Sequence, residues 1–202
     1  MTIGVRRSFE LDVGDLIAAS QSTLTAPLRG DAELWLARPR EEATITEEHG
    51  LLGLVGGPPI RVGPGSLWVA FLLPRPDALV PCDEPRIVNR YVRPLMRAMT
   101  KRGALAHYFG RDWISVGHRP AAWVGYAHDP ATQRTTLEAV VAASTPFAVE
   151  TWPSFRGKEH GTLESIVGKP FDVTLLANAV VASYSDAYGR AAVDLGELDR
   201  NS

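Results

Sequence analysis

An α+β domain is what this chain predicts, on three observations. Between Gly103 and Ala143, short runs rich in aromatic and β-branched residues alternate with Gly, Pro and Asp, the pattern of strands joined by hairpins. Between Glu84 and Arg102 the apolar residues instead recur every three or four positions, as on one face of a helix. No Gly/Ser/Pro-rich linker divides the 202 residues, so a single domain over 1–202 is expected, with its core over about residues 10–190 and a frayed tail over 194–202.

The composition is that of an ordinary soluble chain, 45% hydrophobic and 22% charged. Its formal net charge of −2 supplies no general pull toward nucleic acid, and none is expected as a partner. No apolar run approaches the ~20 residues of a membrane span, and MTIGVRRSFELD lacks the apolar centre of a signal peptide. A lone cysteine, Cys82, excludes an internal disulfide framework and fits a reducing cytosol, so a cytoplasmic protein without a membrane partner is expected.

In order, Arg6–Leu11 reads as a short strand, and Asp12 to Asp15 offers an N-cap for a helix over Leu16–Thr23, ended by Pro27. Ala32–Ala37 alternates as a strand does, and Ala43–Thr46 is a candidate short one. Ser66–Leu73 is apolar enough to be buried on both faces. The helical stretch carries Ile87, Val88, Tyr91, Val92, Leu95, Met96 and Met99 on one face, with a kink or break expected at Pro94. Arg86, Arg90, Arg93, Arg97 and Lys101 lie on another face. They form either a docking stripe for nucleic acid or an acidic partner, or a solvated face, and the net negative chain favours the solvated face. Trp113–Val116, Ala122–Tyr126 and Thr135–Ala142 make a three-stranded meander that turns at Gly117–Pro120 and Asp129-Pro130. Thr151–Gly161 reads as loop and Thr162–Val167 as a short helix closed by Gly168. A longer helix is capped by Asp172, with Gly189 just past its end.

Common sites are missing. No G-x-x-x-x-G-K-[ST] phosphate loop and no G-x-S-x-G nucleophile elbow occurs. None of His49, His107, His118, His128 and His160 has a second ligand at metal-site spacing, so no metal centre is expected. Cys82 sits beside carboxylates in PCDEP, which disfavours a thiolate nucleophile.

Two stretches carry the functional signal: GGPPIRVGPGSLWVAF over Gly56–Phe71 and YFGRDWISVGHRPAAWVGYAHD over Tyr108–Asp129. They resemble the glycine-rich loop and the GR-D hairpin of the catalytic domain of lipoate– and biotin–protein ligases and the related octanoyltransferases. The helix NRYVRPLMRAM and FRGKEHGTLESIVG fall in the order that family has. The resemblance implies a mixed, mainly antiparallel sheet flanked by helices, with an acyl or biotinyl chain held against it. Ligand contacts would then come from Gly56, Gly57, Gly63 and Gly65 of the loop and from Trp113, Ala122, Trp123, Val124 and Gly125 of the hairpin. The chemistry is intelligible: glycines let backbone N–H groups approach a phosphate or carboxylate, and apolar strands make a slot for the chain.

The departures from that family share one direction. Its hairpin lysine, which stabilises the negative charge of an acyl-adenylate, has no counterpart in Arg119–Gly125. The chain's lysines are Lys101, Lys158 and Lys169. Counting back from Gly125, Ala122 takes the lysine position, and the octanoyltransferase-like pairing puts Pro120 there instead. Ala122 and Val124 are then expected to face the loop, with Trp123 on the opposite face. Pro58 stands where a third glycine is usual, and Leu52, Gly53 and Leu54 replace the arginines before the loop. Arg111 and Arg119 are the candidate replacement cations, with Asp112 to orient Arg111 or hold magnesium. Two readings follow. One is a degenerate relative that binds an acyl group, a lipoyl- or biotinyl-carrier protein or a partner subunit. The other is an active ligase or acyltransferase using ATP, magnesium and lipoate or octanoate to modify a carrier lysine. The oligomeric state stays open.

Overall fold

The computed structural model describes residues 1–46, 50–54, 59–149 and 158–198. From the N-terminus, β1 (Thr2–Leu11) leads into α1 (Val13–Ser22), and β2 (Ala32–Pro39) is followed by the short β3 (Ala43–Ile45). A 3-10 turn at Leu52–Leu54 precedes β4 (Ile60–Val62) and the fully buried β5 (Ser66–Leu73). Next come α2 (Ile87–Tyr91) and α3 (Arg93–Lys101), then β6 (Ala106–Tyr108), β7 (Trp113–Val116), β8 (Arg119–His128) and β9 (Thr135–Ala142). The chain closes with α4 (Leu163–Val167), α5 (Val173–Tyr188) and β10 (Ala191–Asp194).

Eight of the described strands form one sheet, ordered β10-β1-β2-β5-β9-β8-β7-β6. The β1 strand is parallel to both β10 and β2, and every other pairing is antiparallel, so the sheet is mixed and mainly antiparallel as expected. The fold is α+β.

Local chemistry explains where the elements stop. Pro94 sits in the first turn of α3, where its missing N–H is harmless, and the helical stretch breaks just before it at Val92. Thr162 and Ser165 form a reciprocal capping box at the start of α4, and Gly168 closes that helix at φ 75°. The Asp172 carboxylate accepts from the Leu175 N–H at 3.0 Å to begin α5. Three elements go beyond the sequence reading. Strand β1 starts at Thr2, because Ile3 and Val5 are buried between two neighbours. Strand β6 has three residues, too few for a period to show. Strand β10 runs into the expected tail and corrects its start: Asp194 pairs with Val5, and the Leu195 N–H donates to the Val5 carbonyl at 2.8 Å, although the four strand residues are exposed.

The sheet has two buried faces. On one, α2, α3 and α5 pack over Leu36, Val69, Phe71, Ala122, Val124 and Val141, with Phe71 and Tyr184 ring centroids 4.5 Å apart. On the other, Trp35, Trp68, Trp113 and Trp123 meet Leu16 of α1 together with Leu51, Ile60, Val62 and Phe147. The basic stripe behaves as a partly paired solvated face. Lys101 bonds Asp186 of α5 at 3.2 Å, and Arg86 pairs with Asp83 at 3.3 Å.

Candidate functional site

The second face is the one that β4 covers, and strand register sets its floor in rows. One row runs Ala37, Trp68, Val140, Trp123, Trp113 across five strands. The next, about 7 Å along the strands, runs Arg6, Trp35, Ala70, Glu138, Gly125. Ile60 and Val62 of β4, Leu51 and Phe147 pack over this floor. Strand β4 is held there by the Arg61 N–H, which donates to the Phe147 carbonyl at 2.7 Å. The result is a closed, aromatic-floored apolar cluster, the slot of the expected site, whose side chains are at most 7% exposed.

Gly63 and Gly65 lie at its mouth as a tight turn. The Ser66 N–H donates to the Gly63 carbonyl at 2.8 Å, and the Gly65 N–H donates to Thr145 Oγ1 at 3.1 Å. A Cβ on Gly65 would stand 2.1 Å from Ser144 Oγ and 2.5 Å from the Thr145 nitrogen, so only glycine permits this approach. Gly56 and Gly57 lie outside the described residues.

The hairpin orientation corrects the sequence reading. Trp123, not Ala122 or Val124, faces the slot, paired directly with Trp113. Ala122 and Val124 belong to the helix-side core. The two indoles belong to the tryptophan-rich cluster, while alanine and valine fit beneath α2. A bulge at Ala121 then lets Pro120 pair with Ser115 across from Ile114 and Val116, which places Pro120 on the slot side. Gly125 is on that side too, opposite Glu138.

The proposed cations are not directed into the slot. Arg111 and Asp112 are exposed on the turn before β7, where the Asp112 carbonyl accepts from the Val124 N–H at 2.8 Å. Arg119 is half-exposed and paired with Glu159 at 3.1 Å. A separate groove of about 500 Å³ at the β1–β10 edge, lined by Arg7, Phe9, Glu10, Asp194 and Glu197, contains none of the expected site residues.

Sequence reasoning missed the polar centre of the floor. Glu138 is 0% exposed, and its carboxylate accepts from Ser20 Oγ at 2.6 Å, from Trp68 Nε1 at 3.1 Å and from the Gly53 N–H. Ser20 Oγ in turn accepts from the Leu52 N–H at 2.7 Å. The available signal was one acid inside the otherwise apolar run LEAVVA. A second buried acid, Glu33, is satisfied separately by Arg6, Trp35 Nε1 and the Arg29 N–H.

Burial raises the Glu138 carboxyl above its ordinary range, and its three donors only partly oppose this. A raised folded value means the group's contribution to stability is complete below the unfolded value, about 4.3, and is lost as pH rises through the folded value. Wild-type stability relative to Glu138→Gln should therefore fall from acid toward neutral pH and then level off. Urea melts at several pH values check this, and a difference that grows with pH would contradict it.

No family model matches the chain, and no curated protein matches it. Solved structures do. A protein from T. acidophilum described as a lipoate protein ligase, with bound lipoic acid, superposes at TM-score 0.74 with 11% identity, covering 99% of this chain and 91% of that one. Lipoate-protein ligase A bound with ATP gives 0.72 at 12% identity, covering 98% and 90%. A biotin protein ligase variant from Aquifex aeolicus in complex with biotin gives 0.53 at 14% identity, covering 91% and 69%. At these identities the likeness speaks to architecture, and it is consistent across all three. The chain has the catalytic-domain fold of the lipoate– and biotin–protein ligases.

Proposed function

We propose that this chain is a ligase-like binding protein that holds an acyl group of the lipoyl or octanoyl kind, or the carrier domain that bears it, without forming an adenylate. The observation that carries the reading is the make-up of β8 on the slot side: Pro120, Trp123 and Gly125, none of them ionisable. Adenylation gathers phosphate and carboxylate charge and needs a cation aimed at it. The central ionisable group of the floor is instead a carboxyl, Glu138. Lys101 is tied to Asp186, and Lys169 lies beside Gly103 at the end of α3. Arg119 is engaged by Glu159, which argues against its serving as the replacement. An apolar, indole-floored slot still suits an acyl chain. Fold neighbours solved with lipoic acid and with biotin support ligands of that shape. In the cytosol, carrier proteins bearing such groups are the matching partners.

ATP–pyrophosphate exchange with lipoate, octanoate and biotin should stay at the level of a heat-killed control. Exchange clearly above that control with any of the three would overturn the reading and move Arg111 or Arg119 into catalysis. Native mass spectrometry of the purified protein is expected to show a retained acyl ligand or carrier.

A further inference from the structure

The Glu138 network joins three elements that meet nowhere else through side-chain hydrogen bonds among the described residues: α1 through Ser20, β5 through Trp68, and the Leu52–Leu54 turn through Gly53. The turn is fastened twice, by Gly53 directly and by Leu52 through the Ser20 hydroxyl. It can come this close because neither partner surface has bulk. Gly125 leaves room beside Glu138, and a Cβ on Gly53 would stand 2.9 Å from Glu138. Leu51, the residue just before this turn, is buried in the cluster of floor tryptophans.

We propose that Glu138 is a positioning residue for the acyl site: with Ser20 it holds the Leu52–Gly53 backbone on the β8–β9 floor and so sets where Leu51 covers the indoles against which an acyl chain would pack. This rests on the acyl-binding reading above. Both oxygens of the Glu138 carboxyl accept, Oε1 from Ser20 and Trp68 and Oε2 from Gly53. A glutamine amide offers one acceptor oxygen and one NH2. Turning that NH2 toward Gly53 sets it against the Gly53 N–H, and turning it toward Ser20 and Trp68 sets it against the Trp68 N–H. Either way one fastening is lost with almost no change of shape.

The experiment compares wild type, Glu138→Gln, Ser20→Ala and, as a control, Tyr184→Phe, which removes a buried hydrogen bond to the Tyr91 carbonyl on the opposite, helix-side face. Octanoate and lipoate affinities are read from tryptophan fluorescence, melting temperature by calorimetry, and exchange of the Leu52 and Gly53 amides by NMR. Glu138→Gln and Ser20→Ala are expected to weaken both ligands about tenfold, the effect of one lost hydrogen bond, with faster exchange in the turn. Tyr184→Phe should shift melting without changing either affinity. Faster turn exchange with wild-type affinity overturns the proposal alone, as does an equal loss of affinity in Tyr184→Phe. Wild-type protein that binds neither probe overturns the acyl reading and the proposal with it. Should Glu138→Gln fail to fold, Ser20→Ala carries the same expectations.

Discussion

Replacing Gly65 by alanine is expected to lower the melting temperature by about 10 °C. The added methyl would stand 2.1 Å from Ser144 Oγ, 2.7 Å from Thr145 Oγ1 and 2.5 Å from the Thr145 backbone nitrogen. The hydroxyls can turn aside, but the nitrogen cannot. Ser144 and Thr145 both donate their N–H groups to the Gly65 carbonyl, at 2.9 and 3.3 Å, and this joins the β4–β5 turn to the end of β9. Either the turn lifts and these bonds stretch, or the backbone after β9 moves. Overpacking costs about 1–3 kcal/mol and occasionally more, with a backbone clash at the upper end, and each kcal/mol is worth roughly 2–4 °C in a chain of this length. Gly14→Ala is the matched comparison. A Cβ there meets nothing within 4 Å inside α1, so it should melt at or slightly above wild type. Calorimetry of the pair is the measurement, and a Gly65→Ala protein melting within a degree or two of wild type would contradict the packing described for the mouth of the slot.

Ala122→Lys, the substitution that restores a lysine at the position counted back from Gly125, should destabilise the protein by about 3–5 kcal/mol at neutral pH, as an unpaired buried charge does. Ala122 is 0% exposed and lies between Ile114 and Val141 in the core beneath α2. An ammonium there has no anion and no water. Such burial depresses a lysine's pKa, so the folded state binds fewer protons than the unfolded one, and the deficit should shrink as pH rises toward the ordinary lysine range. Because the side chain points away from the slot, an acyl-adenylate analogue should give no rescue. Thermal melts with and without the analogue, at pH 7 and near pH 10, decide the matter. Recovery on adding ligand would mean that the two faces of the hairpin are the reverse of those described.

The fold was legible because its signals are local or ordered along the chain. The apolar run of β5, the stripe broken at Pro94, the caps at Thr162 and Asp172 and the meander each depend on neighbours within a few residues. The site was less legible because it depends on facing. Alternation gives Ala122 and Val124 one face and Trp123 the other, but says nothing of which face the glycine-rich segment covers. A single bulged residue, Ala121, then reassigns everything before it and brings Pro120 to the slot side. Glu138 escaped notice for a similar reason. Its partners are 118, 85 and 70 residues away in the chain, and no motif spacing spans such gaps.

The pairing of β10 with β1 has a kinetic side. Thr2 meets Ala191 and Val5 meets Asp194, so this edge joins segments almost a whole chain length apart. Closing so large a loop is entropically costly, and four exposed residues return little buried area for it. The edge strand should therefore dock late in folding and be among the first segments to open in the native state. Each opening would bare the outer hydrogen-bonding edge of β1 and leave β2 as its one remaining strand neighbour. The sheet thus has a mechanically soft margin at β10 and a firm interior at β5 and β9, with the slot floor built on the firm part.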